Sequence, residues 1–225
     1  MKINLKRSLL SITLILSATI SYSQSVQDVS GKVYKAKSTN TLNGSTFIFN
    51  QFLNGELKLI DNKEIKTVNL NYDALDNLVL YKDKDGTVKE VAEPISSFVV
   101  NDVSGGKEFK RNFLAIAAGK ENSIFYEVLY QKEFSILKRV IKYIEQESGY
   151  NAGSGEATVK EKTNYFKYQD GKLTSITKNQ KGFLNLFQSN QQLAKAYIEL
   201  KKLNLNKDED IAFFLLNIDD VTAKN

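Results

Sequence analysis

The order of hydrophobic and polar residues changes along the chain, from alternation in the first two thirds to helical spacing near the end. Phe47 and Phe49 alternate with their neighbours, as in a strand with one buried face. Short runs of β-favouring residues also occur at 65–72, 78–82, 88–91, 98–100, 109–116, 124–130, 159–168 and 172–177. The pattern predicts an antiparallel, meander-like sheet built from residues 30–178.

Short polar segments between these runs predict the turns that connect the strands. Asn54-Gly55 separates two apolar runs, and Asn-Gly is the strongest short hairpin signal because both residues accept a positive φ. Asp83-Lys84-Asp85-Gly86 and Asp170-Gly171 are signals of the same kind. We also expect turns at 61–63 and at Gly105-Gly106.

Residues 134–144 fit two structures. Leu137, Ile141 and Ile144 fall at helical spacing, but the segment is rich in β-favouring residues. A hairpin can also close just before it, at Gln131-Lys132-Glu133. We interpret the segment as a strand, with a helix as the alternative.

Residues 179–219 have the spacing of amphipathic helices. A short helix is expected at 181–187. The sequence Ser189-Asn190-Gln191-Gln192 is a capping box, so Ser189 is expected to begin a second helix. We expect the buried face of that helix to carry Leu193, Tyr197 and Leu200, with Ala196 beside them.

The last helix has a candidate cap residue, acidic residues in its first turn and a clear apolar stripe. Asn206 is the expected cap, and the three acidic residues at 208–210 complement the helix dipole. The stripe that we expect to be buried is formed by Ile211, Phe214, Leu215 and Ile218.

Together these patterns predict an α+β fold, an antiparallel meander-like β-sheet body with two or three C-terminal helices. Residues 46–225 are expected to form a single domain with a helical C-terminus at 179–219. Residues 24–45 are polar and predict a flexible N-terminal arm with one edge strand near Val33 and Tyr34. The glycine-rich loop at 146–157 is the one seam where a second domain would begin.

The first 23 residues have the three parts of a secretory signal peptide. Basic residues without an acidic one precede a largely apolar run at 9–20, and Ser21-Tyr22-Ser23 puts small residues at the −3 and −1 positions. The alternative is a membrane anchor, but the run is shorter than the roughly 20 residues of a spanning helix. We expect cleavage before Gln24, export to the periplasm or the extracellular space, and no transmembrane segment afterwards.

The mature chain is nearly neutral and uses lysine for almost all of its positive charge. Without the leader it has 28 basic and 26 acidic residues, a net charge of +2, against +5 for the whole chain. Only Arg111 and Arg139 of these basic residues are arginines, although phosphate and base-edge recognition favours the guanidinium group. The composition therefore argues against a nucleic-acid partner.

The chain contains no His, Cys or Trp, which excludes Ser-His-Asp and Cys-His catalysis, imidazole or thiolate metal sites, and disulfides. Carboxylates remain for acid–base chemistry, but no spacing indicates two of them facing each other across a sugar. We therefore assign no catalytic, cofactor-binding or metal-binding residue and expect no cofactor. The acidic clusters are Asp73/Asp76, Asp83/Asp85, Glu145/Glu147, Asp208/Glu209/Asp210 and Asp219/Asp220.

Two patterns have both a functional and a structural interpretation. Asp83-Lys84-Asp85-Gly86 begins like a calcium loop, but its glycine comes two places early and position twelve is Pro94, so we interpret it as a β-turn. Several aromatic side chains would form a sugar- or peptide-binding platform if they shared one exposed sheet face, but we favour core packing. They are Phe47, Phe49, Phe52, Tyr72, Tyr126, Tyr130, Tyr165, Phe166 and Tyr168.

Residues 138–181 form the most basic stretch of the chain. It predicts either a patch for anionic lipopolysaccharide, peptidoglycan or an acidic partner, or solvated strand faces and protected edges. We favour the second interpretation. The basic residues are Lys138, Arg139, Lys142, Lys160, Lys162, Lys167, Lys172, Lys178 and Lys181.

Three stretches resemble an uncharacterised family of exported proteins common in Bacteroidota. They are residues 44–49 with Phe52 and Gly55, residues 70–73 running on to 80–82, and residues 165–216. Thr46 stands where proline is expected in the family. The resemblance covers most of the mature chain and implies a secreted or cell-envelope setting, but it supplies no catalytic residues.

Two classes of function remain open. The favoured one is an exported, non-enzymatic envelope protein that binds an unknown envelope or extracellular partner through a sheet face or edge. The alternative is a carboxylate-dependent glycan hydrolase. The sequence leaves the oligomeric state unknown.

Overall fold

The fold was analysed in a computed structural model, which describes residues 29–35, 42–60, 67–103, 105–113, 124–146 and 157–222. The expected signal peptide at 1–23, the turn at 61–63 and most of the glycine-rich loop lie outside these residues.

Twelve strands are followed by three α-helices in the described residues. The strands are β1 Gly31–Val33, β2 Leu42–Asn43, β3 Leu53–Leu59, β4 Thr67–Asp73, β5 Leu78–Lys82, β6 Val88–Val91, β7 Ile95–Asp102, β8 Gly105–Lys110, β9 Tyr126–Gln131, β10 Ser135–Gln146, β11 Ala157–Gln169 and β12 Lys172–Ile176. The helices are α1 Gln180–Leu184, α2 Gln191–Lys201 and α3 Asp208–Thr222, with a 3-10 turn at Gln188–Asn190 before α2.

All strands belong to one sheet, in the order β1-β6-β5-β4-β3-β7-β8-β9-β10-β11-β12. Strands β3 to β6 form one meander, and β7 returns to pair with β3 and begins a second meander that runs to β12. Each of these pairings is antiparallel, and only β2 lies off the path, parallel to the start of β11. The predicted α+β class is confirmed.

Several predicted turns are confirmed at the residue level. Asp83 accepts the Gly86 N–H at 2.9 Å, and Gly86 has a φ of 85° between β5 and β6. Asp170 and Gly171 have φ values of 51° and 75° between β11 and β12, the positive pair that a tight hairpin turn requires. The segment at 134–144 is a strand, since β10 pairs along its whole length with β11.

The prediction of a hairpin at Asn54-Gly55 is wrong. Both residues lie inside β3, where Gly55 pairs with Val68 on one side and with Val100 on the other. A Cβ on Gly55 would lie 2.3 Å from the carbonyl oxygen of Val99. The glycine is therefore needed for the close approach of β7, not for a positive φ.

Two smaller predictions in the sheet also need correction. Residues 46–52 do not form a regular strand, and Phe47 makes only an isolated bridge to Asp73. Gly105 and Gly106 begin β8 rather than forming the turn before it. Two short strands, β1 and β2, lie within the segment predicted as the N-terminal arm, and β1 is at the sheet edge as expected.

The capping-box prediction for α2 is wrong. The cap position is Asn190, which makes no capping side-chain hydrogen bond, and Ser189 lies in the preceding 3-10 turn. Leu200 is 76% exposed, while Ala194 and Ile198 are buried. Lys202 adopts a left-handed conformation that ends α2 in a Schellman motif, with the Leu203 N–H bonded to Ile198 O at 3.0 Å.

That turn directs Leu203 toward the core in place of Leu200.

The expected stripe of α3 is confirmed, because all four of its residues are at most 2% exposed. The prediction that Asn206 caps α3 is wrong. Asn206 Nδ2 donates to Asn204 Oδ1 at 2.9 Å, and the carbonyl of Lys207, the residue before α3, accepts the Ile211 N–H.

The core has three clusters. The strand cluster lies on β3 to β8, with Phe125 just before β9, and its most buried members are Leu57, Leu70, Tyr72, Phe98 and Val100. The helix cluster joins β10 to β12 with the three helices through Ile136, Tyr165, Phe183, Ile198, Leu205, Ile211, Phe214, Leu215 and Ile218. The third cluster, around Tyr126 and Leu137, lies on the sheet face opposite the helices.

Candidate functional site

The carboxylate of Asp73, at the end of β4, is fully buried and has four hydrogen-bond donors. Its Oδ2 accepts the hydroxyls of Tyr34 at 2.6 Å and Thr46 at 3.0 Å, and its Oδ1 accepts the N–H groups of Leu75 at 2.9 Å and Asp76 at 3.1 Å. Burial, together with the Asp73 hydrogen bond, raises the pKa of Tyr34. Asp73 therefore ties the residues after β1, those after β2 and the turn after β4 to one point.

The neighbouring Asn71 is also completely buried and fills a gap in the strand ladder. Its Nδ2 donates to the carbonyls of Phe49 at 2.9 Å and Gln51 at 3.2 Å, and its Oδ1 accepts the N–H of Tyr72 at 2.8 Å. The side chain thus takes the place of a strand partner where residues 46–52 are irregular. Residues 44–49 and 70–73 meet here, and the contact is structural.

A cavity of about 260 Å³ lies beside Asp73 and also contains Asp76. A cavity with two carboxylates is the kind of site that a hydrolase would use. An ionised carboxylate offers about four lone-pair directions. In Asp73 all four are taken by the protein itself, so this carboxylate is poorly suited to act on a substrate. The cavity is lined by Tyr34, Leu42, Gly44, Ser45, Thr46, Phe47, Asp73, Leu75 and Asp76.

A second carboxylate, Asp208, joins the first turn of α3 to the sheet. Its Oδ1 accepts the hydroxyl of Tyr165 at 2.8 Å and also pairs with the ammonium of Lys178. Lys138 Nζ lies 3.9 Å from Asp208 Oδ2 and 3.2 Å from Glu127 Oε2. The arrangement is a chain of alternating charges that runs from β9 across β10 to the helix.

The electrostatics of this row of charges explain the protonation states of Asp208 and Tyr165. Burial alone would raise the pKa of Asp208, but the hydrogen bonds from Lys178 and Tyr165 and the charge of Lys138 outweigh it, and the pKa is lowered. Burial and the bond to Asp208 raise the pKa of Tyr165. Asp208 therefore stays ionised and Tyr165 neutral, which suits a structural anchor.

The other acidic clusters serve turns and ion pairs. Asp83 pairs with Lys89, and Asp85 Oδ1 accepts the Thr87 N–H at 2.8 Å, in agreement with a β-turn. Asp219 contacts Lys132 Nζ at 2.8 Å and accepts from the Tyr130 hydroxyl, whose pKa is raised to about 12, mainly by burial. Within the described ranges, no group of three or more acidic side chains is placed to hold a metal ion.

The basic stretch at 138–181 is divided between the two sheet faces. Registered partners on antiparallel strands point to the same face. Lys138 is registered with Tyr165, so Lys138, Lys142 and Lys167 share the face that the helices cover. Arg139, Lys160 and Lys162 point to the opposite face by the same register.

Ion pairs occupy part of that stretch as well. Lys142 pairs with Glu161 at 2.7 Å, and Lys160 with Glu145 at 3.5 Å. The division between faces and the pairing both favour the structural interpretation of these lysines.

The aromatic side chains of the sequence analysis pack mainly into the core. Tyr72, Tyr126 and Tyr165 are at most 3% exposed. Partly buried members make edge-to-face contacts with other rings, as in Tyr126–Phe166 with centroids 5.7 Å apart. The core interpretation is confirmed for the three buried tyrosines.

The surroundings of the two arginines are a feature that the sequence patterns do not predict. The Nε atoms of Arg111 and Arg139 are both buried, and neither has a hydrogen-bond partner in the part of the chain that the structure describes. The sequence offers one indication, the scarcity of arginine. After the leader the chain uses lysine for all of its other basic residues and has arginine only at these two positions.

Comparison with known proteins does not assign the chain to a group. No family model matches the sequence, and neither a curated protein nor a solved structure matches it. Among the described helices, none is both long and apolar enough to cross a membrane.

Proposed function

We propose that the protein is exported to the cell envelope and binds a ligand or partner there without turning over a substrate. The export step rests on the basic, apolar and small-residue segments of residues 1–23. The non-enzymatic part rests on the lack of His and Cys in the chain and on how three carboxylates, Asp73, Glu127 and Asp208, are used.

The observation that carries the proposal is that these carboxylates serve the fold. Asp73 accepts four hydrogen bonds from the protein, and Asp208 and Glu127 are held by Lys138 and, for Asp208, also by Tyr165 and Lys178. General acid–base catalysis needs a group that exchanges a proton with the substrate. Carboxylates engaged in this way act as anchors.

The glycan hydrolase remains the alternative, and the cavity beside Asp73 is the place that it would use. Asp76 is the second carboxylate there. Hydrolysis by this pair would require Asp73 to give up at least one of its donors when substrate binds, at a cost of roughly 1.5–3 kcal/mol for each hydrogen bond to a charged group.

The experiment has an export arm and an activity arm. Intact-mass spectrometry of the protein from an envelope fraction is expected to show a chain that begins at Gln24. Cell-wall and plant glycans are then incubated with the protein, and both new reducing ends and binding are measured. We expect binding to an envelope component without new reducing ends.

Asp76→Asn and Asp85→Asn are the matched variants, because Asp85 lies in the exposed turn between β5 and β6. Turnover that disappears in Asp76→Asn and persists in Asp85→Asn would establish the hydrolase. Recovery from the cytosol with Met1 attached would contradict the export step.

A further inference from the structure

The tripeptide Leu-Asn-Gly occurs twice in the chain, at 42–44 and at 53–55. The copy at 53–55 lies in β3, where Asn54 pairs with Asn69 of β4. Gly55 is buried and pairs with β4 on one side and with β7 on the other. Asn54-Gly55 is therefore held inside the sheet, and strands in such a position open only at a free-energy cost close to that of global unfolding.

The copy at 42–44 lies at the margin of the sheet. β2 has only two residues, and its pairing with β11 covers only Ala157 and Thr158. Gly44, directly after β2, is exposed and has a φ of 101°. The side chains of Asn43 and Asn54 are both exposed, so the two copies differ in how firmly the backbone is held. A two-residue pairing opens at a much smaller cost than a central strand.

An asparagine that precedes glycine is open to a reaction that needs only water. The glycine nitrogen attacks Cγ of the asparagine, a C–N bond forms, and the side-chain amide leaves as ammonia with the proton of that nitrogen. Water then opens the succinimide ring at one of its two carbonyls and gives aspartate or isoaspartate. Glycine offers no side chain to hinder the attack, but the backbone must be free to bring its nitrogen to Cγ.

We propose that Asn43 is a site of spontaneous deamidation and that the fold protects Asn54 from the same reaction. The short β2 lets the backbone at Asn43 reach the geometry for ring closure, whereas β3 holds Asn54 extended beside β4. The inference is independent of the proposed binding function, because the reaction uses only the chain and water.

Deamidation at Asn43 would change how the segment around β2 is attached. Isoaspartate carries the main chain through its Cβ, which lengthens the backbone and breaks the register of β2 with β11. The hydrogen bond from Thr46 to Asp73, at 3.0 Å, would remain as the other attachment of this segment. Leu42 and Gly44 line the cavity beside Asp73, so the release of β2 would loosen one wall of that cavity.

The test compares the two asparagines within one molecule. The folded protein is incubated at mildly alkaline pH, which favours loss of the proton from the glycine nitrogen. It is then digested at acidic pH, so that digestion adds no deamidation, and fragment masses show which asparagine has become an acid. We expect Asn43 to convert at least about tenfold faster than Asn54, a difference of roughly 1.4 kcal/mol in the cost of reaching the reactive geometry. In urea the two rates should become similar, because both asparagines stand between leucine and glycine.

A variant and a second measurement test the effect on the sheet. Asn43→Gln keeps an amide but disfavours ring closure, so it should stop the fast conversion and leave the rate at Asn54 unchanged. Hydrogen exchange should become faster in β2 and at 157–159 after incubation of the wild type, but not after incubation of Asn43→Gln. Residues 165–169 are the internal control, because they pair with β12 rather than β2.

Three results would overturn the inference. The first is that Asn54 converts as fast as Asn43, or faster, in the folded protein. The second is that neither converts in the folded protein while both convert in urea, because β2 would then hold Asn43 as firmly as β3 holds Asn54. The third is unchanged hydrogen exchange in β2 and at 157–159 after conversion, which would contradict the release of β2.

Discussion

The two halves of the sheet hold a carboxylate in different ways. In the first half, the four donors to Asp73 are neutral, two hydroxyls and two backbone N–H groups. In the second half, Asp208 is bound by the Tyr165 hydroxyl and by the ammonium groups of Lys178 and Lys138. One anchor therefore depends on fixed hydrogen bonds and the other on charge.

The difference predicts how each half responds to its surroundings. Hydrogen bonds from neutral donors act at contact distance and are little affected by salt. Ion pairs that are partly exposed are screened by salt and lost when the carboxylate is protonated. The geometry of the first half should therefore depend little on ionic strength, while the attachment of α3 to the second half should depend on pH and ionic strength.

The largest effect is expected where the second half depends on packing. Phe214→Ala removes a fully buried ring from the helix cluster and leaves a cavity between α3 and the sheet. We expect the free energy of unfolding, measured by urea denaturation, to fall by about 4 kcal/mol. Phe213→Ala is the matched control, since Phe213 is 44% exposed on the same helix. Equal losses in both variants would show that α3 does not pack as described.

The next largest effect tests the neutral anchor of the first half. Asp73→Asn replaces an oxygen that accepts two hydrogen bonds with an NH2 group that opposes its donors. We expect urea denaturation to show a loss of about 3 kcal/mol in the free energy of unfolding. The loss should be the same at low and high salt, because the donors are neutral. Asp85→Asn, in the exposed turn, should change stability little, and a salt-dependent loss at Asp73 would contradict the comparison.

Sequence patterns predicted the elements that depend on local spacing better than those that depend on tertiary contacts. The stripe of α3, the Asp170-Gly171 turn and the strand at 134–144 depend on local spacing and turn chemistry, which are visible in the sequence. In the first half, Asn54-Gly55 has the composition of a turn but lies in a central strand. Its role depends on how closely β7 approaches, a tertiary contact that a local pattern does not contain.

The candidate sites follow the same rule. Composition correctly indicated that Asp83 and Asp85 belong to a turn, because their bonds are to residues a few positions away. It did not indicate that Asp73 is joined to Tyr34, 39 residues earlier, or that the Arg111 guanidinium lies over the Phe125 ring. Those arrangements are produced by the order of strands in the sheet.

A smaller effect tests Gly55 in β3, for which the sequence pattern predicted a turn. Gly55→Ala adds a Cβ that would lie 2.3 Å from Val99 O, so β3 and β7 must move apart. We expect thermal and urea denaturation to report a loss of about 2 kcal/mol in the free energy of unfolding. Gly106→Ala is the control, because its Cβ would meet only the side chains of Asn101 and Val99, at 3.3 Å and 3.5 Å. A Gly55→Ala protein as stable as wild type would contradict the close approach of β3 and β7.

The smallest effect is expected at the charged anchor, and it separates the two halves most directly. Tyr165→Phe removes the 2.8 Å hydrogen bond to Asp208 and should cost about 1 kcal/mol of unfolding free energy.

The pKa of Asp208 is lower in the folded protein than its usual value of 3.8, because the hydrogen bonds from Lys178 and Tyr165 and the charge of Lys138 outweigh the effect of burial. Its stabilisation is therefore present above pH 4 and is lost as the pH falls through the folded-state pKa. Wild-type stability measured between pH 5 and pH 2 should fall more steeply than that of Asp208→Asn, and 1 M NaCl should reduce the difference. Parallel curves for the two proteins would mean that the charge of Asp208 does not hold α3 to the sheet.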